Sequence, residues 1–338
     1  MSSGLNNDGS ILFLSCDLQN STQFKQKNKD KDWVATFLAF YAEFPAILST
    51  HIANSCAHLQ DRLLLWKAVG DELIFSVRIQ TEQECSDAVD VWLAAMLTFE
   101  QEHLLLKTPM TLKGGAFLAT VPSPDRRVAI PRTVQSADGS QRDAEEVNEQ
   151  TLNNADDEGS FSAQYAMDFV GPSIDTGFRV LKYASRRFFV LTVEVAHILF
   201  KHYSNVEQET DAYLVGTHEL KGVWGGKPYP VFAVVRKLQH TVPAQKLADA
   251  FGSTTLITDE HPHCKPHDAL AAIAAYRSDT DWPGSILIPQ AVWPNFRDHR
   301  PADAARDRLD QLEDTSEDLP DKASDLGEED FVTGMPTR

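Results

Sequence analysis

Two aspartates stand where apolar, strand-like runs end or turn. Asp17 closes the run ILFLSC, and Asp71 occupies the Gly-Asp turn of LLLWKAVGDELIFSVRI. Carboxylates paired on adjacent strands are hard oxygen donors. One or two of them, together with substrate phosphates, usually hold Mg²⁺ or Mn²⁺ in nucleotide chemistry. Behind Asp17 comes LQNST, a polar turn whose backbone N–H groups and whose Ser21 and Thr22 hydroxyls suit a triphosphate. Either aspartate alone is an ordinary turn residue. The chain contains no GxxxxGK followed by Ser or Thr, which excludes a P-loop NTPase.

The elements that would position these residues follow from periodicity. Ile11 to Cys16 reads as a buried strand. Trp33, Phe37, Phe40, Phe44 and Ile47 recur three or four apart and mark the core face of a helix. The Asp71 region reads as a hairpin, followed by an amphipathic helix from about Gln83 to Leu106 and a strand in TLKGGAFLATV. Further on, PSIDTGFRVLKYAS has helical spacing, RFFVLTVEVAHILF reads as a strand running into a helix, and ELKGVWGGKPYPVFAVV as a terminal hairpin. The order predicts an α/β chain, an α+β sandwich with helices covering a mixed sheet.

Three stretches fall outside that pattern. A polar segment of about 122–164 has no sustained period and is expected to be a lid or an insertion. Residues 237–300 are expected to form a small C-terminal extension, with a possible helix in KLADAFG, a weak one around ALAAIAAY and a short strand in SILIPQ. Its HPHCKPHD run has metal-ligating residue types, but two prolines interrupt any regular ligand geometry. Residues 301–338 carry twelve acids against four bases and are expected to be a disordered tail.

The 338 residues hold 49 acids and 31 bases, a formal net charge of −18, which argues against a phosphate-coating surface and hence against nucleic acid as a partner. No apolar run approaches the roughly 18 to 20 residues of a membrane span, and MSSGLNNDGS lacks the features of a leader. A soluble, cytoplasmic protein without a membrane partner is expected. Cys16, Cys56, Cys85 and Cys264 are scattered with no metal or disulfide spacing, and are expected to be buried thiols.

FLSCDLQNST followed by KAVGDELIF resembles the two metal-aspartate motifs of the class III nucleotidyl cyclases, with Asp17 and Asp71 at the metal positions. DFVGPSIDTGFR resembles the family's third motif: Asp168 takes the base-contacting position, Asp175 the position usually held by Asn, and Arg179 that of the transition-state Arg. Lys67, four residues before Asp71, matches the base-contacting Lys, and Lys221 in ELKG the γ-phosphate Lys. The resemblance covers residues 9 to about 236 and implies a mostly antiparallel mixed sheet covered by helices. It also implies two Mn²⁺ or Mg²⁺ per site, with the carbonyl of Leu18 completing coordination, and a head-to-tail homodimer whose sites lie at the interface. The implied reaction is attack of a ribose 3′-OH on the α-phosphate of a nucleoside triphosphate.

Lys67 and Asp168 offer the base one donor and one acceptor. Adenine, cytosine and, with other pairings, uracil can use them; guanine fits less well. Trp66 is bulky beside Lys67 and reads either as core or as a wall of the base pocket. The third motif, the long insertion and the change to Asp175 resemble the pyrimidine cyclases of Pycsar anti-phage systems, which make cyclic UMP or cyclic CMP to activate a separate effector. Cyclic UMP is favoured here on frequency alone, as the commoner activity in that group. Cyclic CMP, cyclic AMP and an inactive nucleotide-sensing domain stay open as alternatives. A diguanylate cyclase is disfavoured by the absence of a GGDEF-type sequence.

Overall fold

The computed structural model describes residues 8–28, 33–105, 107–132, 144–157, 164–207, 210–236 and 261–297, which lie within one compact unit. The elements run β1 (Gly9–Gln19), α1 (Ser21–Lys27), α2 (Trp33–Ser55), β2 (Leu64–Val69), β3 (Glu72–Arg78), α3 (Glu82–Phe99), β4 (Thr111–Val121), β5 (Arg126–Pro131) and α4 (Ala144–Asp157). They continue with β6 (Tyr165–Val170), α5 (Pro172–Val180), β7 (Phe188–Leu191), α6 (Val193–Asn205), β8 (Ala212–Glu219), β9 (Pro228–Val235), β10 (His263–Cys264) and α7 (Pro266–Arg277).

Eight strands form one sheet in the order β10-β8-β9-β7-β4-β1-β3-β2. Every pairing is antiparallel except β4 with β7. β1 is central and nearly wholly buried, as a continuous apolar run requires. Alternation along β4 sends Gly115 and Phe117 toward the α5 side and Gly114 toward Met96 of α3. At Gly177 of α5 the backbone lies so close to the sheet that a Cβ would sit 2.3 Å from Cγ of Phe117. On the other face α2 buries Phe37, Phe40, Phe44, Leu48 and Ile52, the helical stripe expected from the sequence with Leu48 and Ile52 extending it. By length and composition α2 is apolar enough to cross a membrane, contrary to the expectation that no segment would be. Its buried aromatic stripe against Phe99 and Trp92 of α3 is the packing of a core helix.

The polar segment 122–164 is more ordered than its lack of periodicity predicted. β5 lies inside it and pairs with β6 as a separate two-stranded arm, Val128 opposite Asp168. α4 docks on β5 through Asn148, whose Oδ1 accepts the Ala129 N–H at 2.9 Å and whose Nδ2 donates to the Arg127 carbonyl at 3.0 Å. The pairing satisfies backbone groups that no local pattern announces.

Residues 261–297 pack back onto the body. The Ser10 N–H donates to the Leu287 carbonyl at 2.8 Å, and Glu82 accepts the N–H groups of Val292 and Trp293, each at 3.0 Å. Trp282 Nε1 donates to buried Glu194 at 2.7 Å. α7 covers the ALAAIAAY run, whereas SILIPQ forms no strand and its last two residues lie in a turn, contrary to the strand expected there. KLADAFG, residues 301–338 and part of the insertion lie outside the described residues. Among the described residues no cluster of His, Cys, Asp and Glu could hold a metal through three such side chains, and HPHCKPHD forms none.

Candidate active site

The end of β1 gathers the carboxylates. Asp17 lies opposite Glu72 on β3 and opposite Lys113 on β4. Asp71, in the β2–β3 turn, is held from two sides: its carbonyl accepts the Leu18 N–H at 3.1 Å, and its carboxylate accepts the hydroxyl of buried Ser21. Gly70 before it has φ +64, a left-handed conformation that suits glycine and aims the turn. Tyr41 of α2 donates to the Gly70 carbonyl, tying the helix to the same turn.

Burial pushes the Asp17 carboxyl above its usual range. The neighbouring Asp71 adds to the push, and Lys113 pulls against it. Burial likewise raises Glu72, although Ser15 donates to it at 2.5 Å. Two carboxylates that repel each other in a partly buried setting are hard oxygen donors of the kind that suit a divalent cation. Lys113 Nζ lies 2.9 Å from Asp17 Oδ2 and balances that charge within the protein itself. Sequence reasoning did not single out Lys113, because its relation to Asp17 is a matter of strand register. Ser21 is committed to Asp71, while Thr22 is exposed at the start of α1.

The proposed base contacts meet within the same chain. Lys67 Nζ is 2.7 Å from each carboxylate oxygen of Asp168, across a separation of 101 residues. The β2–β3 register shifts between Leu65 and Lys67, so Trp66 occupies a bulge. The Trp66 ring is thereby packed on Phe13, Phe169 and Phe178 at centroid separations of 4.6, 5.7 and 6.0 Å, with the Lys67 ammonium 4.5 Å over it. At this bulge Trp66 is both packed into the core and next to the Lys67–Asp168 pair. Its indole N–H has no hydrogen-bond partner among the described residues.

α5 supplies the third group. Arg179 Nη1 donates to the Asp175 carbonyl at 2.7 Å and lies 3.9 Å from Asp175 Oδ1, while the Asp175 side chain is largely exposed. A Cβ on Gly222 would lie 3.9 Å from Arg179 Nη2, which puts the turn carrying exposed Lys221 beside this arginine. The residues thus fall into a carboxylate group around Asp17 and Asp71, an ion pair of Lys67 and Asp168, and a cationic group around Arg179 and Lys221.

No family model matches the chain, and no curated protein matches it. Solved structures similar to it are nucleotide cyclases. The adenylyl cyclase CyaB from P. aeruginosa is 9% identical with a TM-score of 0.43, over 70% of this chain and 97% of that one. The guanylyl cyclase Cya2 is 12% identical with a TM-score of 0.44, over 70% and 96%. The guanylate cyclase domain of RhGC from Catenaria anguillulae, solved with GTP, is 13% identical with a TM-score of 0.42, over 68% and 98%.

Proposed function

We propose that this chain is a class III nucleotidyl cyclase acting on a pyrimidine nucleoside triphosphate, with UTP converted to 3′,5′-cyclic UMP and pyrophosphate. The observation that carries the reading is the Lys67–Asp168 pair. Two residues 101 apart in sequence, each picked out by a different motif, meet as one donor and acceptor beside an aromatic wall.

In the reaction the ribose 3′-oxygen bonds to the α-phosphorus, the bond from that phosphorus to the β-phosphate bridging oxygen breaks, pyrophosphate leaves, and the 3′-OH proton passes to solvent. Asp17 and Asp71 would hold divalent cations, with the Leu18 carbonyl beside them; such ions acidify the 3′-OH and offset phosphate charge. Arg179 stabilises charge developing on the α-phosphoryl oxygens, and Lys221 holds the γ-phosphate. Ser21 orients Asp71, leaving Thr22 and the adjoining backbone for the phosphates. Asp175 places a carboxylate where the family has an amide, and its carbonyl steadies Arg179.

The Lys67 ammonium and the Asp168 carboxylate offer one donor and one acceptor, which uracil, cytosine and adenine can each use; the preference for a pyrimidine rests on the resemblance to the Pycsar cyclases. The choice of UTP over CTP, and an anti-phage role through a cyclic-nucleotide-activated effector, rest on the resemblance to Pycsar cyclases.

Two copies are needed in this reading, each giving the carboxylates to one site and the base and arginine residues to the other. An exposed apolar surface supports it: Val34, Leu38 and Tyr41 of α2 with Leu64, Leu65 and Val69 of β2, around the Asp71 turn. The deciding experiment incubates the protein with ATP, CTP, GTP and UTP separately in Mn²⁺, beside Asp71→Ala, and identifies products by mass. Cyclic UMP lost in the variant is the expected result. Cyclic CMP or cyclic AMP would reassign the substrate, and no product from any nucleotide would overturn the reading.

A further inference from the structure

We propose that Asp125, outside every substrate-contacting group above, is a positioning residue that locks the junction between β6 and α5 and so sets where Arg179 stands. The inference rests on the cyclase reading for its functional consequence, and on geometry alone for the lock itself.

Asp125 lies in the β4–β5 connection and is fully buried. Its Oδ2 accepts the Thr120 N–H at 3.0 Å, and its own N–H donates to the Thr120 carbonyl at 3.0 Å, closing a tight loop at the end of β4. Its Oδ1 accepts the N–H of Ser173 at 2.9 Å. Ser173 is the second residue of α5, where N–H groups have no partner within the helix. α5 cannot cap itself: the residue at its N-cap is Gly171, which has no side chain, and Pro172 after it has no N–H. A carboxylate 48 residues away in sequence supplies the missing acceptor.

Gly171 makes the approach possible. Its φ of +145 is a conformation that favours glycine, and a Cβ there would lie 2.3 Å from Asp125 Oδ1. The lock therefore closes between the strand that ends shortly after Asp168 and the helix that carries Asp175 and Arg179. α5 is only nine residues long, so a fixed first turn governs the position of Arg179 in its last turn. Burial raises the Asp125 carboxyl to about 6 even against its amide hydrogen bonds. An apolar side chain here would leave the buried Thr120 and Ser173 N–H groups without an acceptor, so the carboxyl stays despite the cost of its burial.

The test compares the full-length protein with Asp125→Asn, which keeps size and one acceptor but presents an amide donor to a backbone donor. Amide exchange over 172–180 is expected to accelerate about tenfold while the rest of the sheet keeps its protection. With UTP and Mn²⁺, kcat is expected to fall about tenfold with KM within about threefold, since Arg179 acts on transition-state charge. Unchanged exchange over 172–180, or unchanged kcat despite faster exchange, would overturn the proposal. Should Asp125→Asn fail to fold, Asp125→Ser, smaller and neutral, is read by the same two measurements. If wild-type protein cyclises no nucleotide, it is the cyclase reading that fails, and the exchange result still decides whether Asp125 holds α5.

Discussion

Lys113 and Asp17 face each other across the β1–β4 pairing, ammonium 2.9 Å from carboxylate, at the end of the strand where Asp17, Asp71 and Glu72 converge and where the proposed cations would sit. The lysine occupies the charge environment that a bound cation would share, so the two compete for Asp17 until a triphosphate gives the ammonium another anion. Lys113→Met is therefore expected to tighten Mn²⁺ binding in the absence of nucleotide by about tenfold, as one unscreened charge near a partly buried site would. The KM for the triphosphate should rise at the same time. Titration calorimetry with Mn²⁺ alone checks the first half; unchanged affinity would mean that Lys113 only neutralises the empty site.

The Lys67–Asp168 pair is partly buried, and removing one member leaves the other charge without its partner. Asp168→Asn is expected to lower kcat/KM by about 100-fold, corresponding to about 3 kcal/mol at the transition state. Lys67→Met in the Asp168→Asn background should cost little more, because both side chains serve one base edge. Independent, additive losses in this double-mutant cycle would show that they do not act as a unit.

Trp66 fills the volume beside that pair. Trp66→Leu should admit the larger purine ring and raise the ATP-to-UTP ratio of kcat/KM, measured by competition in one reaction. It also opens a void against Phe13 and Phe169, so melting temperature should drop. A lower melting temperature with an unmoved ratio would assign Trp66 to the core alone.

Much of the sheet was legible because β1, β3 and β4 announce themselves by apolar runs and α2 by its aromatic stripe. The carboxylates were legible as motif residues. Lys113 was not, since the register that sets it against Asp17 is a property of two strands that lie far apart in sequence. β6 was not legible as a strand either: its partner β5 lies inside the polar segment, and six residues carry too short a pattern. Nothing in the sequence singles out Asp125 within the polar segment, and its partners appear only where β4 closes onto α5.

Asp125 also carries a pH signature. Its carboxyl titrates at about 6 in the folded protein against 3.8 for the ordinary group. A raised folded value means that the folded state binds the proton more tightly than the unfolded chain does. The stability associated with the protonated form is complete below about pH 4 and is lost as pH rises through 6. The loss amounts to at most about 3 kcal/mol, from the difference between the two values. Asp125→Asn cannot ionise, so its stability relative to wild type should improve between pH 4 and 7 by up to that amount and stay constant above. Urea unfolding of both proteins at several pH values measures it, and the slope is independent of the fixed cost of the lost hydrogen bond. A constant difference across the range would place the Asp125 titration at its ordinary value and remove burial as its governing cause.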